Sequence, residues 1–193
     1  MRLKTSIREN ETMREQLSNV GIAIMGIKEP GAELASPQIT WFGDASGLDA
    51  EDFDFAIDTG LEDAISVTFE DSRNVIHVSP EDKVSLLQSM IDILTSEQYM
   101  DLDPADVMDM WGTGCNFESI SAKLDDAEGY ATEWLHDKEI SSALLIYFQG
   151  GFSQGSVNEI VEKIESMLMP GVELACAFSY NEEDTAKISL WYR

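Results

Sequence analysis

The feature that most constrains the fold is the run Ala143-Leu-Leu-Ile-Tyr-Phe148, apolar at every position and broken by Gly150-Gly151. A strand with one wet face alternates apolar and polar residues, so a strand without alternation has to be covered on both faces. The run is also far short of the roughly 20 apolar residues that cross a membrane. It reads as a central strand between two covering layers, and the flanking sequence supplies helices for them. Asp125–His136 is amphipathic. Ser156–Leu168 sets Val157, Ile160, Val161, Ile164 and Leu168 at three- and four-residue steps, and Pro170-Gly171 stops it. Val172–Tyr180 and Ala186–Tyr192 then read as strands, paired as a hairpin across Asn181–Thr185.

The first half is shorter in its elements. Residues 6–18 are polar and helix-compatible, and Val20–Ile27 is a buried strand followed by a Pro/Gly loop, Lys28–Pro37. Gln38–Phe42 is a second strand. Asp49–Leu61, with Phe53, Ile57 and Leu61 four apart, reads as a short acidic helix. Ala64–Glu70 and Val75–Ser79 form a hairpin about Asp71-Ser-Arg-Asn74. Ser79-Pro-Glu-Asp82 is a strong helix start, with a hydroxyl cap, a first-turn proline and acids at the positive end. The helix it opens turns Val84, Leu87, Ile91 and Leu94 inward. After Asp101-Leu-Asp-Pro-Ala-Asp106, a second helix begins at Pro104 and ends near Gly112. A strand–helix–strand–strand order recurs weakly at 38–79 and 143–192, through internal duplication or through the popularity of the split α+β motif. The expected fold is α+β, a mixed sheet with helices packed on it, divided into an N-terminal segment, 1–79, and a second domain, 80–193.

Charge narrows the function. Of 193 residues, 37 are acidic and 12 basic, a net −25 with a pI near 4.1. Such a surface repels phosphate backbones and anionic headgroups, so nucleic-acid and membrane partners are not expected. The acids are interspersed with aromatics and aliphatics, which suits a solvated coat or a face for a basic partner. Cys115 and Cys176 belong to no CxxC pair and read as buried or free thiols of a reducing compartment. The N-terminus lacks the apolar core of a signal peptide, so the expected location is cytoplasmic.

The joint order of these elements resembles the second half of the FtsZ family, the bacterial tubulin homologues. Val84–Leu94 resembles the end of that family's central helix. Asp101-Leu-Asp103-Pro-Ala-Asp106 resembles its N-x-D-x-x-D loop, and Val107–Trp111 the short helix after it. Asp126–Leu135 is similar to the alanine-rich helix, Ser142–Gly151 to the gA-x-x-vLvnI-x-Gg strand, and Val157–Val161 to the next helix, with a closing hairpin at Val172–Tyr192. The resemblance covers about 110 residues, carried by order rather than by any one specific motif. It implies an FtsZ C-terminal-domain-like second half, ferredoxin-like in its split βαβ pattern. It departs at Asp101, where the family has asparagine, and at Pro104, where it has an aromatic. The family's GGGTGS/TG loop has no counterpart. Gly112-Thr-Gly114 is too short and lies after the carboxylate loop, about eighty residues precede the central helix, and no linker or tail peptide follows the last strand.

Asp101, Asp103 and Asp106 are the candidate site. The resemblance implies that Asp103 and Asp106 reach the nucleotide pocket of a neighbouring subunit. Carboxylates so spaced can also orient water or hold a hard cation. Equally, Asp103 can cap the helix at Pro104, with Asp106 in its first turn. The loop lacks the glycine and terminal glutamate of an EF-hand. His77 sits in a strand and His136 at a helix end, and neither has a serine elbow for a triad. Trp41, Trp111, Trp134 and Trp191 read as core or rim packing. The expectation is a non-enzymatic tubulin/FtsZ-like protein, without cofactor, that binds a second copy or an FtsZ-like subunit of a cell-division filament. Two alternatives stay open: an unrelated acidic ligand-binding or homodimeric α+β domain, and a small metal-dependent hydrolase using Asp103 and Asp106.

Overall fold

A computed structural model of the chain describes residues 21–26, 38–42, 52–95, 102, 104–180 and 184–193. It is an α+β fold. The described strands form one nine-stranded mixed sheet in the order β2-β1-β3-β4-β5-β6-β9-β7-β8. β1 (Ile22–Met25), β2 (Ile39–Phe42), β3 (Phe55–Asp58), β4 (Ala64–Phe69) and β5 (Ser72–His77) come from the first half. β6 (Cys115–Lys123), β7 (Ala143–Gly150), β8 (Glu173–Tyr180) and β9 (Thr185–Tyr192) come from the second. The halves join where β5 runs parallel to β6, Ile76 opposite Cys115. Among the described residues, four α-helices accompany the sheet: α1 (Lys83–Thr95), α2 (Pro104–Met110), α3 (Ala127–His136) and α4 (Gln154–Met167).

The run at β7 is what its composition requires. Ala143, Leu145 and Tyr147 point to the face covered by α1 and α2. Leu144, Ile146 and Phe148 point to the face covered by α3 and α4. Both faces are dry, so both alternating sets are apolar. The strand extends through Gly150, where φ is +142° and a Cβ would stand 2.8 Å from the Thr185 carbonyl oxygen of β9. Glycine there is a requirement of close backbone approach.

Local signals set the helices. Ser79 Oγ accepts from the Asp82 amide at 3.3 Å and donates to its carboxylate at 2.9 Å, closing the turn that opens α1. Ser153 caps α4 by accepting from the Ser156 amide at 3.1 Å. α1 buries Leu87, Ile91 and Leu94 as its spacing predicts, together with Leu86, Met90 and Ile93. Val84, expected inward, is 54% exposed. It lies in the first turn, before the helix has settled onto the sheet.

Three local expectations are overturned. Residues 52–61 hold β3 rather than a helix: Phe55 and Ile57, two apart, are the buried pair, and β3 lies between β1 and β4. Ile57 satisfies either period, and pairing on both sides selects the extended one. The hairpin turn falls at Glu70-Asp71, with Glu70 at φ 50°, so β5 begins at Ser72. The terminal strands form no hairpin. β8 pairs parallel with β7, and β9 enters between β7 and β6, antiparallel to both. β6, for which the sequence pattern predicts no element, is the neighbour that receives β9. The expected helix at 6–18 and the loop at 28–37 lie outside the described residues.

Candidate functional site

α2 carries the described part of the carboxylate loop. Its inward side is apolar: Val107, Met108, Met110 and the following Trp111 are all at most 4% exposed. That burial turns Asp106, in the first turn, and Asp109, one turn on, to the solvent side. The helix is also fixed at its backbone. Asn74 Nδ2 of β5 donates to the Met108 carbonyl at 2.9 Å, and Arg193 Nη2, just past β9, donates to that of Asp109 at 2.8 Å. The acidic side is thus held by one side chain from each half of the sheet. Asp101 and Asp103 lie outside the described residues, so only Asp106 of the three candidates can be placed. Asp109 is a partner that the loop pattern does not reveal; the signal for it is its three-residue spacing from Asp106 inside a helix.

Among the described residues, no three His, Cys, Asp or Glu side chains are placed to hold a metal ion together. An open hollow lies along the β5–β6 junction, between Asp63, His77, Ser79, Asp82, Asn116 and Tyr192. Its polar centre is Glu118. That carboxylate accepts from Trp134 Nε1 at 2.7 Å, from Tyr192 Oη at 2.6 Å, and from Lys138 Nζ. Partial burial alone would raise the Glu118 pKa, but the three donors outweigh it and hold the carboxyl below the usual glutamate range. Burial, then the bond to Glu118, pushes the Tyr192 phenol up, so it remains a donor. Lys138 also lies 5.6 Å from the ring centroids of both Trp134 and Tyr192. Each donor is committed, which makes Glu118 a clamp of α3 onto β6 and β9 rather than a reactive acid.

The two thiols are poor nucleophiles. Cys115 and Cys176 are free and buried, and burial pushes both thiols up to about 12. His77 and His136 are both exposed, His77 at the end of β5 and His136 in the last turn of α3. No described helix is long and apolar enough to cross a membrane.

No family model matches the chain, and no curated protein does. Among solved structures it is similar to two of FtsZ from M. jannaschii, a point mutant and an empty dimer. Each aligns at 19% identity and a TM-score of 0.49 over 58% of this chain. The aligned region is 38% of the mutant chain and 37% of the dimer's, so the likeness spans less than two fifths of FtsZ.

Proposed function

We propose that this chain is a non-enzymatic protein that docks the acidic side of α2 onto an FtsZ-like subunit and so modulates a cell-division filament. The observation that carries the reading is the mounting of α2. Asp106 and Asp109 face solvent from a short helix whose other side is buried and whose backbone is bonded to both halves of the sheet. Rigid, outward carboxylates suit recognition of a cationic or metal-bearing surface, because the geometry is paid for before the partner arrives. A body of net charge −25 is a poor self-assembler at low salt, which favours a different partner over a second copy. In this reading residues 80–193 supply the FtsZ-like domain, and 1–79 extend its sheet. The chain binds no GTP and turns none over by itself, since no glycine loop offers backbone amides to phosphates.

The double variant Asp103→Ala, Asp106→Ala tests the docking. If the two acids serve only the helix start, the variant loses about 1–2 kcal/mol of stability and keeps its full effect on the polymer. If they dock, it folds nearly normally and loses its effect on FtsZ sedimentation and GTP hydrolysis. A wild-type protein with no effect on the filament of its own host ends the proposal.

A further inference from the structure

α1 ends on an ionisable contact with the sheet. Asp92, the one acidic residue of the helix, stands in its last turn, half-buried between Ile91 and Ile93. Those neighbours are 5% and 1% exposed. The Asp92 carboxylate accepts from Gln149 Nε2 of β7 at 2.6 Å. The other end of that amide, Oε1, is shut off from solvent and has no partner among the described residues. Lys187 of β9 stands opposite Gln149 in the sheet, also half-buried. Its ammonium belongs to neither of the two ion pairs among the described residues. It acts on Asp92 through its field.

A carboxylate or an ammonium drawn out of water is favoured in its neutral form. Burial raises the Asp92 carboxyl above its ordinary range, and the Gln149 bond and the Lys187 charge offset only part of the rise. Burial likewise lowers Lys187, against the pull of Asp92. The other titratable groups on this face stand farther off. Tyr147, two positions before Gln149, donates to Ser179 at 2.9 Å. Lys123 of β6 is exposed, two positions past Ser121, which is opposite Lys187. Lys83 is at the other end of α1, and Glu173 is at the far end of β8 from Ser179.

We propose that Asp92, Gln149 and Lys187 form a proton-operated latch that holds the end of α1 on the sheet more firmly when Asp92 is protonated. Released from the sheet, Asp92 titrates in water as an ordinary carboxyl; docked, it titrates higher. The docked helix therefore binds the proton more tightly. Its gain is complete below the ordinary value of 3.8 and is lost as pH rises through the raised one. α1 fills a core shared by β1, β3, β4 and β5 of the first half and by β7 and β9 of the second. The latch thus bears on the junction of the two halves.

The carboxyl carbon of Asp92, followed by NMR as pH is lowered from 7, gives its midpoint in the native protein, expected above 3.8. Lys187→Met removes the cation that favours the ionised form and should move that midpoint higher. Amide exchange, corrected for its intrinsic pH dependence, reads the latch itself. Protection of residues 91–95 should rise about threefold from pH 7 to pH 5, with α4 on the opposite face as the reference. Asp92→Asn keeps an acceptor for Gln149, removes the proton, and should leave that protection level. A midpoint at or below 3.8, one that Lys187→Met leaves in place, or equal gains in α1 and α4 would overturn the proposal. So would a response in Asp92→Asn that matches wild type. Should that variant not fold, the midpoint in the wild-type chain decides.

Discussion

Ser89 of α1 and Ser189 of β9, 100 positions apart in the chain, share a buried hydrogen bond of 2.7 Å. The bond belongs to a polar stripe along one side of the helix. Ser85 donates to Ser119 of β6 at 3.1 Å, and Asp92 accepts from Gln149 of β7 at 2.6 Å. Positions 85, 89 and 92 are four and three apart, one stripe of a helix. They meet β6, β9 and β7, which are consecutive in the sheet. Apolar contacts between helix and sheet tolerate sliding, whereas hydrogen bonds have narrow geometry, so the stripe sets the register of α1.

Ser89→Ala should therefore destabilise the chain by about 1–3 kcal/mol, because it leaves the Ser189 hydroxyl buried without a partner. Ser89→Ala with Ser189→Ala should cost less than the sum of the two single changes. Urea denaturation of the four proteins gives the coupling, and strict additivity would show that the bond does not hold α1.

The double cover of β7 gives a second expectation. Leu145 is 0% and Ile164 1% exposed, on opposite faces of the sheet. Each replacement by alanine should cost about 2–5 kcal/mol in equilibrium unfolding. Losses below about 1 kcal/mol at both sites would be incompatible with a sheet covered on both sides.

Glu118 predicts an acid dependence. Its folded pKa is depressed below the usual 4.5, so its contribution is complete above that value and is lost as pH falls through the lowered one. Its side chain is 35% exposed, so solvent screening makes the effect modest. Wild type should lose stability more steeply than Glu118→Gln below about pH 4.5, as followed by circular dichroism. Parallel acid limbs in the two proteins would count against the clamp.

Cys115 and Cys176, with thiol pKa values near 12, should resist a disulfide-exchange reagent at pH 8 in the native state. Two thiols should react in urea. Rapid native labelling of either would show that the face covering it opens readily.

Much of the second half is legible in the amino-acid sequence because its signals are local. Six apolar residues in succession can satisfy both faces of a buried strand and little else. The Ser79–Asp82 turn and the spacing of Val157, Ile160 and Ile164 likewise mark a helix start and a buried helix face from within a few residues. The candidate site is legible only in part. The sequence points to the Asp101–Asp106 acids, of which Asp106 is seen on the exposed side of α2. Asp109, Asn74 and Arg193 enter through folding, since nothing in a linear pattern brings positions 74 and 193 to one helix.

What the chain by itself determined, then, is which residues are apolar and at what period, and so the existence of α1, α2, α3, α4 and β7. Tertiary structure decided the pairings. The two last strands, only four residues apart in the sequence, have the pattern of a hairpin, yet β9 lies between β6 and β7. Residues 55–58, apolar at spacings that suit helix or strand, extend because β1 and β4 flank them. Backbone amides and carbonyls are the same at every position, so strand partners are chosen by the sum of contacts made across the sheet. Periodicity is a property of neighbours in sequence, and partnership in a sheet is a property of neighbours in space.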